Sequence, residues 1–92
     1  MSSAPVLPLN AWLRWDAVAR RLGDLPRPAT ILEVGMGQGA VGARLASLGQ
    51  FTGIEPDAAS RSVAQSRLSD GARVLTSLDE LGPDEQFSLV CA

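Results

Sequence analysis

Three glycines at alternate positions, Gly35, Gly37 and Gly39, follow the apolar run ILEV, and two carboxylates, Glu33 and Glu55, stand on either side of them. A strand that turns sharply into a helix needs residues able to take φ > 0, and a ligand lying on that turn needs backbone without a Cβ in its way. Glycine supplies both. The phosphates of a dinucleotide are one candidate ligand, because Gly37, Gly39 and Gly42 satisfy G-x-G-x-x-G. In that fingerprint the first glycine directly follows the strand; counted from Gly35, the third position is Ala40, which is also tolerated. Glycine spacing alone leaves three readings open: a dinucleotide loop, a loop for a ligand without phosphate, and a plain tight turn.

The carboxylates carry more. Glu33 sits two residues before Gly35, near the end of an otherwise apolar strand, and burying it requires a partner. Beside a pyrophosphate it adds like-charge repulsion; beside an ammonium or sulfonium group it is attractive. Glu55 ends a second apolar run twenty residues after Gly35, where an acidic side chain accepts hydrogen bonds from both hydroxyls of a ribose. NAD and S-adenosylmethionine share that requirement, so Glu55 indicates an adenosine-like ligand. Glu33 tilts the choice towards the sulfonium compound.

Composition removes several other chemistries. The chain has 92 residues and one cysteine, Cys91, so no internal disulfide forms; with no histidine, it has no histidine-based triad and no His-containing zinc set. A net charge of −2 without a basic run provides no electrostatic footprint for nucleic acid or an anionic membrane surface. Hydrophobic residues at 46% and charged residues at 20% match a folded globular domain, not a disordered segment. The opening MSSAPVLPLN has neither a basic n-region nor a long apolar stretch, so the expected setting is the cytoplasm, without a membrane span. The acidic group Asp79, Glu80, Asp84 and Glu85 reads as a solvated loop, and no metal is expected.

The elements that must position these residues alternate in type. NAWLRWDAVARRLG carries Ala11, Trp15, Val18 and Leu22 on one helical stripe, with Asn10 as N-cap, Gly23 as C′ residue, and Pro26 and Pro28 blocking continuation. Trp12 and Trp15 are expected as packing anchors. TILEV (30–34), FTGIE (51–55), ARVLT (72–76) and FSLVCA (87–92) read as strands. Between them, 40–49 is predicted as a helix closed by Gly49, and 57–71 as a helix capped by Asp57 and terminated by Gly71, with Arg61 and Arg67 on a solvated face. One helical turn is expected around Asp79 to Leu81. Such alternation implies an α/β, Rossmann-like parallel sheet with flanking helices covering both faces.

In sequence, E-V-G-M-G-Q-G (33–39) resembles the E/D-x-G-x-G-x-G motif of class I S-adenosylmethionine-dependent methyltransferases, and G-I-E-P-D (53–57) is similar to that family's second motif. DEQFSLVCA (84–92) resembles the lead-in to its fourth strand, commonly F-D-L-V. The resemblance spans roughly residues 30–92. It implies the S-adenosylmethionine-binding half of a methyltransferase domain over 30–92, preceded by the N-terminal segment with its amphipathic helix (1–29) read from the apolar stripe above. It further implies that Gly35, Gly37 and Gly39 contact the methionine end of the cofactor, that Glu33 supports its amino group, that Glu55 holds the ribose, and that Ser77 and Leu78 meet the adenine.

Three positions depart from the family pattern. Met36 replaces a small residue and is expected to make the loop bulkier at the cofactor. Ser77 replaces an acid at the adenine, with Asp79 near enough to substitute. Ser88 replaces the aspartate of F-D-L-V, at the expected cost of a local hydrogen bond. In this family the residues that orient the acceptor lie after the fourth strand, so none is assigned here. The domain is expected to be truncated after that strand and inactive alone, with self-association through the fourth-strand edge. The competing readings are a non-catalytic α/β module that binds a partner by strand addition at that edge, and a fragment of an NAD-dependent oxidoreductase.

Overall fold

The computed structural model describes residues 9–25 and 28–92, leaving Pro26 and the side chain of Ala11 outside the described set. Helix α1 is Leu9–Leu22, strand β1 Ala29–Val34, α2 Ala40–Leu45, β2 Gly49–Ile54, α3 Ala58–Arg67, β3 Arg73–Leu75 and β4 Leu89–Cys91, with a 3-10 turn at Leu78–Glu80. The four strands form one parallel sheet in the order β3-β2-β1-β4. This is the Rossmann-like organisation expected from the alternation of strands and helices. β1 is central, and its Glu33 lies in register with Gly53 of β2 and Cys91 of β4.

Alternation along the strands assigns the two faces. Ala29, Ile31, Phe51 and Cys91 join Leu22 of α1, Val41 and Leu45 of α2 and Ala64 of α3 in one apolar core. All three helices therefore lie on the same face, which corrects the expectation of a sheet covered on both. For α2 and α3 the cause is topological: the chain steps from β1 to β2 to β3 in one direction, and successive right-handed crossovers deliver their helices to one side, while α1 joins them by packing Leu22 on the same core. The return from β3 to β4 holds only the 3-10 turn among the described residues. On the opposite face Leu32, Thr52 and Ile54 are still buried, while Val90 of edge strand β4 is 59% exposed. There the guanidinium of Arg73 donates to the Thr52 hydroxyl and pairs with Glu85 of the loop.

Several boundaries differ from the sequence expectation for identifiable reasons. Asn10 lies inside α1 and is not its N-cap. Left-handed backbone occurs only at Gly35, Gly37 and Gly39 among the described residues, so neither Gly23 nor Gly71 acts as a left-handed terminator. Gly49 does not close α2, which ends at Leu45; it starts β2, where a Cβ would stand 2.5 Å from the carbonyl oxygen of Ala29. Asp57 caps α3 as expected, accepting from Ser60 N–H at 2.9 Å. That bond lowers the Asp57 pKa, because it stabilises the ionised carboxylate. Trp15 packs on the core, whereas Trp12 is 48% exposed and is no packing anchor.

β4 is tied to β1 outside the ladder by a pair of hydroxyls. Ser88 Oγ accepts from Thr30 N–H at 3.0 Å and lies 3.0 Å from Thr30 Oγ1, and Ser88 N–H donates to Thr30 O at 2.8 Å. Where the sequence led us to expect the cost of a local hydrogen bond, Ser88 makes hydrogen bonds of its own to Thr30.

Candidate functional site

Because the strands are parallel, the residues following β1, β2 and β3 come to one edge of the sheet, beside the point where strand order reverses between β1 and β4. Open α/β sheets bind ligands in that crevice. The glycine loop leaves β1 there with φ of 74° at Gly35, 59° at Gly37 and 83° at Gly39. A residue with a side chain holds this backbone at a cost of about 1–3 kcal/mol. The three glycines nevertheless differ in what they face. A Cβ at Gly35 or Gly37 would meet nothing within 4 Å, so both line open space, whereas at Gly39 it would stand 3.1 Å from Ala64 of α3. Gly35 and Gly37 border open space; Gly39 packs against α3. Gly42, third in the dinucleotide spacing, packs on the Phe51 ring, where a Cβ would stand 2.9 Å from it.

Met36 points away from the open side. It is 5% exposed and belongs to the core, with its sulfur lying where a side chain on Gly53 would have to go. The expected bulk at the ligand is absent, because the missing side chain of Gly53 leaves a socket beneath the loop.

The amides of the loop are turned inward. Gly35 and Met36 N–H donate to Ile54 O at 2.9 and 3.1 Å, and Gly39 N–H donates to Met36 O at 3.1 Å. Gly37 N–H donates to Glu55 Oε1 at 2.8 Å, while Glu55 Oε2 accepts from Asp57 N–H at 2.9 Å. One half-buried carboxylate therefore bridges the glycine loop to the first turn of α3. A phosphate cradle needs such amides free to aim at the anion. Here four are committed internally, one of them to a carboxylate.

Glu33 is 1% exposed beneath the loop and accepts from Arg14 of α1 at 3.0 Å. Its partner is thus a cation of the chain itself. Burial pushes the Glu33 pKa up, and the Arg14 charge offsets part of that rise. Glu33 Oε1 and Arg14 Nε remain buried without a hydrogen-bond partner. Cys91, beside Glu33 in register, is buried, and its thiol pKa is raised first by desolvation and then by the Glu33 charge. Neither factor favours a thiolate nucleophile.

After β3, Ser77 Oγ accepts from Asp79 N–H at 3.2 Å, and Glu80 Oε2 accepts from Thr76 and Ser77 N–H at 2.6 and 3.3 Å. Ser77 and Glu80 form a capping box for the 3-10 turn, in which Leu78 is 53% exposed. Asp79 is exposed. The structure thus joins Gly37 and Glu55 directly and places Ser77 and Leu78 after the neighbouring strand, with Glu55 N–H donating to Leu75 O at 3.0 Å across the two strand ends.

Sequence reasoning missed three arginines. Arg14 has a visible signal: it lies three residues after Ala11 and four before Val18, on the inward face of an amphipathic helix, where a charge requires a buried partner. Arg61 and Arg67, read as solvated, donate to backbone carbonyls of the site: Arg61 to Glu55 O and Pro56 O, Arg67 to Gln38 O. Among the described residues no three His, Cys, Asp or Glu come together as a metal-ligand group, and no helix is long and apolar enough to cross a membrane.

No protein-family model matches the chain, and no curated protein matches its sequence. Solved structures do. A TehB-like S-adenosylmethionine-dependent methyltransferase from Corynebacterium glutamicum is 29% identical, with TM-score 0.59, over 88% of this chain and 51% of its own. CalS10, an amino pentose methyltransferase from Micromonospora echinaspora solved with S-adenosylmethionine, is 24% identical, with TM-score 0.68, over 100% of this chain and 44% of its own. The plantazolicin methyltransferase BamL, solved with a triazolic desmethylPZN analogue and S-adenosylhomocysteine, is 21% identical, with TM-score 0.71, over 89% of this chain and 35% of its own. The chain thus spans about half or less of the length of these structures.

Proposed function

We propose that this chain, which has the fold of class I S-adenosylmethionine-dependent methyltransferases, binds S-adenosylmethionine at the edge formed by the glycine loop, Glu55 and the turn after β3, and serves methyl transfer. One observation carries the choice of ligand: Glu55 Oε1 holds the N–H of Gly37 at 2.8 Å. A pyrophosphate at this loop would find that donor occupied and a carboxylate in its place. A sulfonium or ammonium meets an attractive potential from Glu55.

The residues present fit the proposed ligand. Gly35 and Gly37 leave open space against the backbone for the methionine portion. The Glu55 oxygens each accept one internal hydrogen bond and retain lone pairs for ribose hydroxyls. Ser77 and Leu78, in the capped turn after β3, would meet the adenine, Leu78 through its backbone N–H. S-adenosylmethionine, when bound, supplies an electrophilic methyl group on a sulfonium. The chain's own contribution is orientation, which provides much of the rate in a displacement between held partners. The acceptor and the groups that position it are not assigned.

Calorimetric titration with S-adenosylmethionine, S-adenosylhomocysteine and NAD tests the proposal. The adenosyl compounds are expected to bind and NAD not to bind, with Glu55→Ala abolishing binding. Tighter binding of NAD, or adenosyl binding that Glu55→Ala leaves intact, would refute it.

A further inference from the structure

α3 does more than cover the sheet. Asp57, Arg61, Ala64 and Arg67 recur at spacings of 4, 3 and 3 and so share one helical face. At the centre of that face Ala64, fully buried, lies against Gly39. The two arginines reach out on either side. Arg67 Nη1 donates to Gln38 O at 3.1 Å, at the crest of the glycine loop. Arg61 Nη1 donates to Glu55 O at 2.9 Å and Pro56 O at 3.1 Å, at the end of β2. One helix thereby fastens both segments that frame the crevice, and the Glu55 carboxylate joins those segments to each other.

We propose that Arg61 and Arg67 are positioning residues of the ligand site, an inference that rests on the adenosyl-ligand reading above. A glycine-rich loop has many backbone states when free, and binding must remove that freedom unless other contacts have removed it already. The guanidinium is suited to this task, since its planar donors are fixed relative to one another and stay charged. Arg67 holds the loop at the methionine portion of the ligand. Arg61 holds the strand end that presents Glu55 to the ribose. Neither side chain touches the ligand, so each acts through the backbone it restrains.

The two roles separate by ligand fragment. In the full chain, Arg67→Gln is expected to weaken S-adenosylhomocysteine about threefold to tenfold, the scale of one charge-assisted hydrogen bond at a wet site, and to leave adenosine within about twofold. Arg61→Gln is expected to weaken both ligands by a similar factor, and Arg67→Lys to recover part of the loss. The melting temperature should move by only about 2 °C in each variant, because the side chains are at the surface. Amide hydrogen exchange of residues 37–39 in the free protein should quicken in Arg67→Gln. Unchanged affinity for S-adenosylhomocysteine together with unchanged exchange overturns the inference, as does an affinity loss matched by a large fall in melting temperature. If the wild type binds no adenosyl compound, the ligand reading fails, and the exchange measurement still decides whether Arg67 restrains the loop: faster exchange supports it, unchanged exchange overturns it.

Discussion

Removing the guanidinium beside Glu33 tests the electrostatics under the glycine loop. In Arg14→Met the stem that packs beside β1 is largely kept, while a carboxylate with 1% of its surface exposed loses its counter-charge. Breaking a fully buried ion pair costs about 3–5 kcal/mol. Arg14 is itself 37% exposed, and water reaching its outer nitrogen screens part of the attraction, so about 2–3 kcal/mol is expected near neutral pH. For a chain of this size that lowers the melting temperature by roughly 10–20 °C. The sign with pH follows from the raised Glu33 pKa. A carboxyl whose pKa is higher folded than unfolded contributes its full stability below the unfolded value, near 4.5, and loses it as pH rises through the folded value. Without Arg14 that folded value rises further, since the only lowering influence on it has gone. The deficit of Arg14→Met is therefore expected to shrink on acidification from pH 7.5 towards pH 5, as Glu33 takes up a proton. Arg14→Met with Glu33→Gln should recover most of the loss at neutral pH. Thermal melts of the wild type, Arg14→Met, Glu33→Gln and the double variant at several pH values measure this. A deficit that stays the same at every pH, or a double variant no better than Arg14→Met, would refute the assignment of Glu33 as an ionised group neutralised by Arg14.

Three further outcomes are expected. Ser88→Ala removes the hydroxyl that accepts from Thr30 N–H at 3.0 Å and should lower stability by about 1 kcal/mol in denaturant melts; Thr30→Val together with Ser88→Ala should cost little more, since both ends act as one unit. Gly53→Ala places a methyl in the space of the Met36 sulfur and should destabilise by about 1–3 kcal/mol, with Met36→Ala in the same chain relieving part of that; additive losses would show that the two do not meet. Val90→Lys on the exposed flank of β4 should reduce concentration-dependent association in sedimentation velocity, and a wild type that sediments as a monomer at every concentration would remove the expected edge pairing.

Much of the fold was legible because its signals are local. The first three strands end in a glycine, proline or polar cluster, and the helices between them are bounded by Gly39, Asp57 and further polar residues, so order and type of the elements follow from neighbouring residues. Asp57 was readable as a cap for the same reason. Boundaries set by a contact from another element were not. Gly49 looks like a helix terminator in the chain, yet it is required by the Ala29 carbonyl of the adjacent strand. Arg61 and Arg67 resemble any exposed arginine until the carbonyls of Glu55, Pro56 and Gln38 are brought within reach.

The sequence by itself determined the left-handed loop and the acidic strand end, since glycine alone takes φ near 59–83° cheaply and an acid before Pro56 has little packing use in a strand. It also determined a parallel sheet, through the length of its crossovers. Tertiary structure decided the polarity of the site. Whether Glu33 faced a ligand or Arg14, whether Met36 faced the crevice or the core, and whether the loop amides aimed outward or at Glu55 all depend on residues 17 to 19 positions away in sequence. No local propensity encodes such choices. They are made when packing excludes water and each buried charge or donor must find its partner.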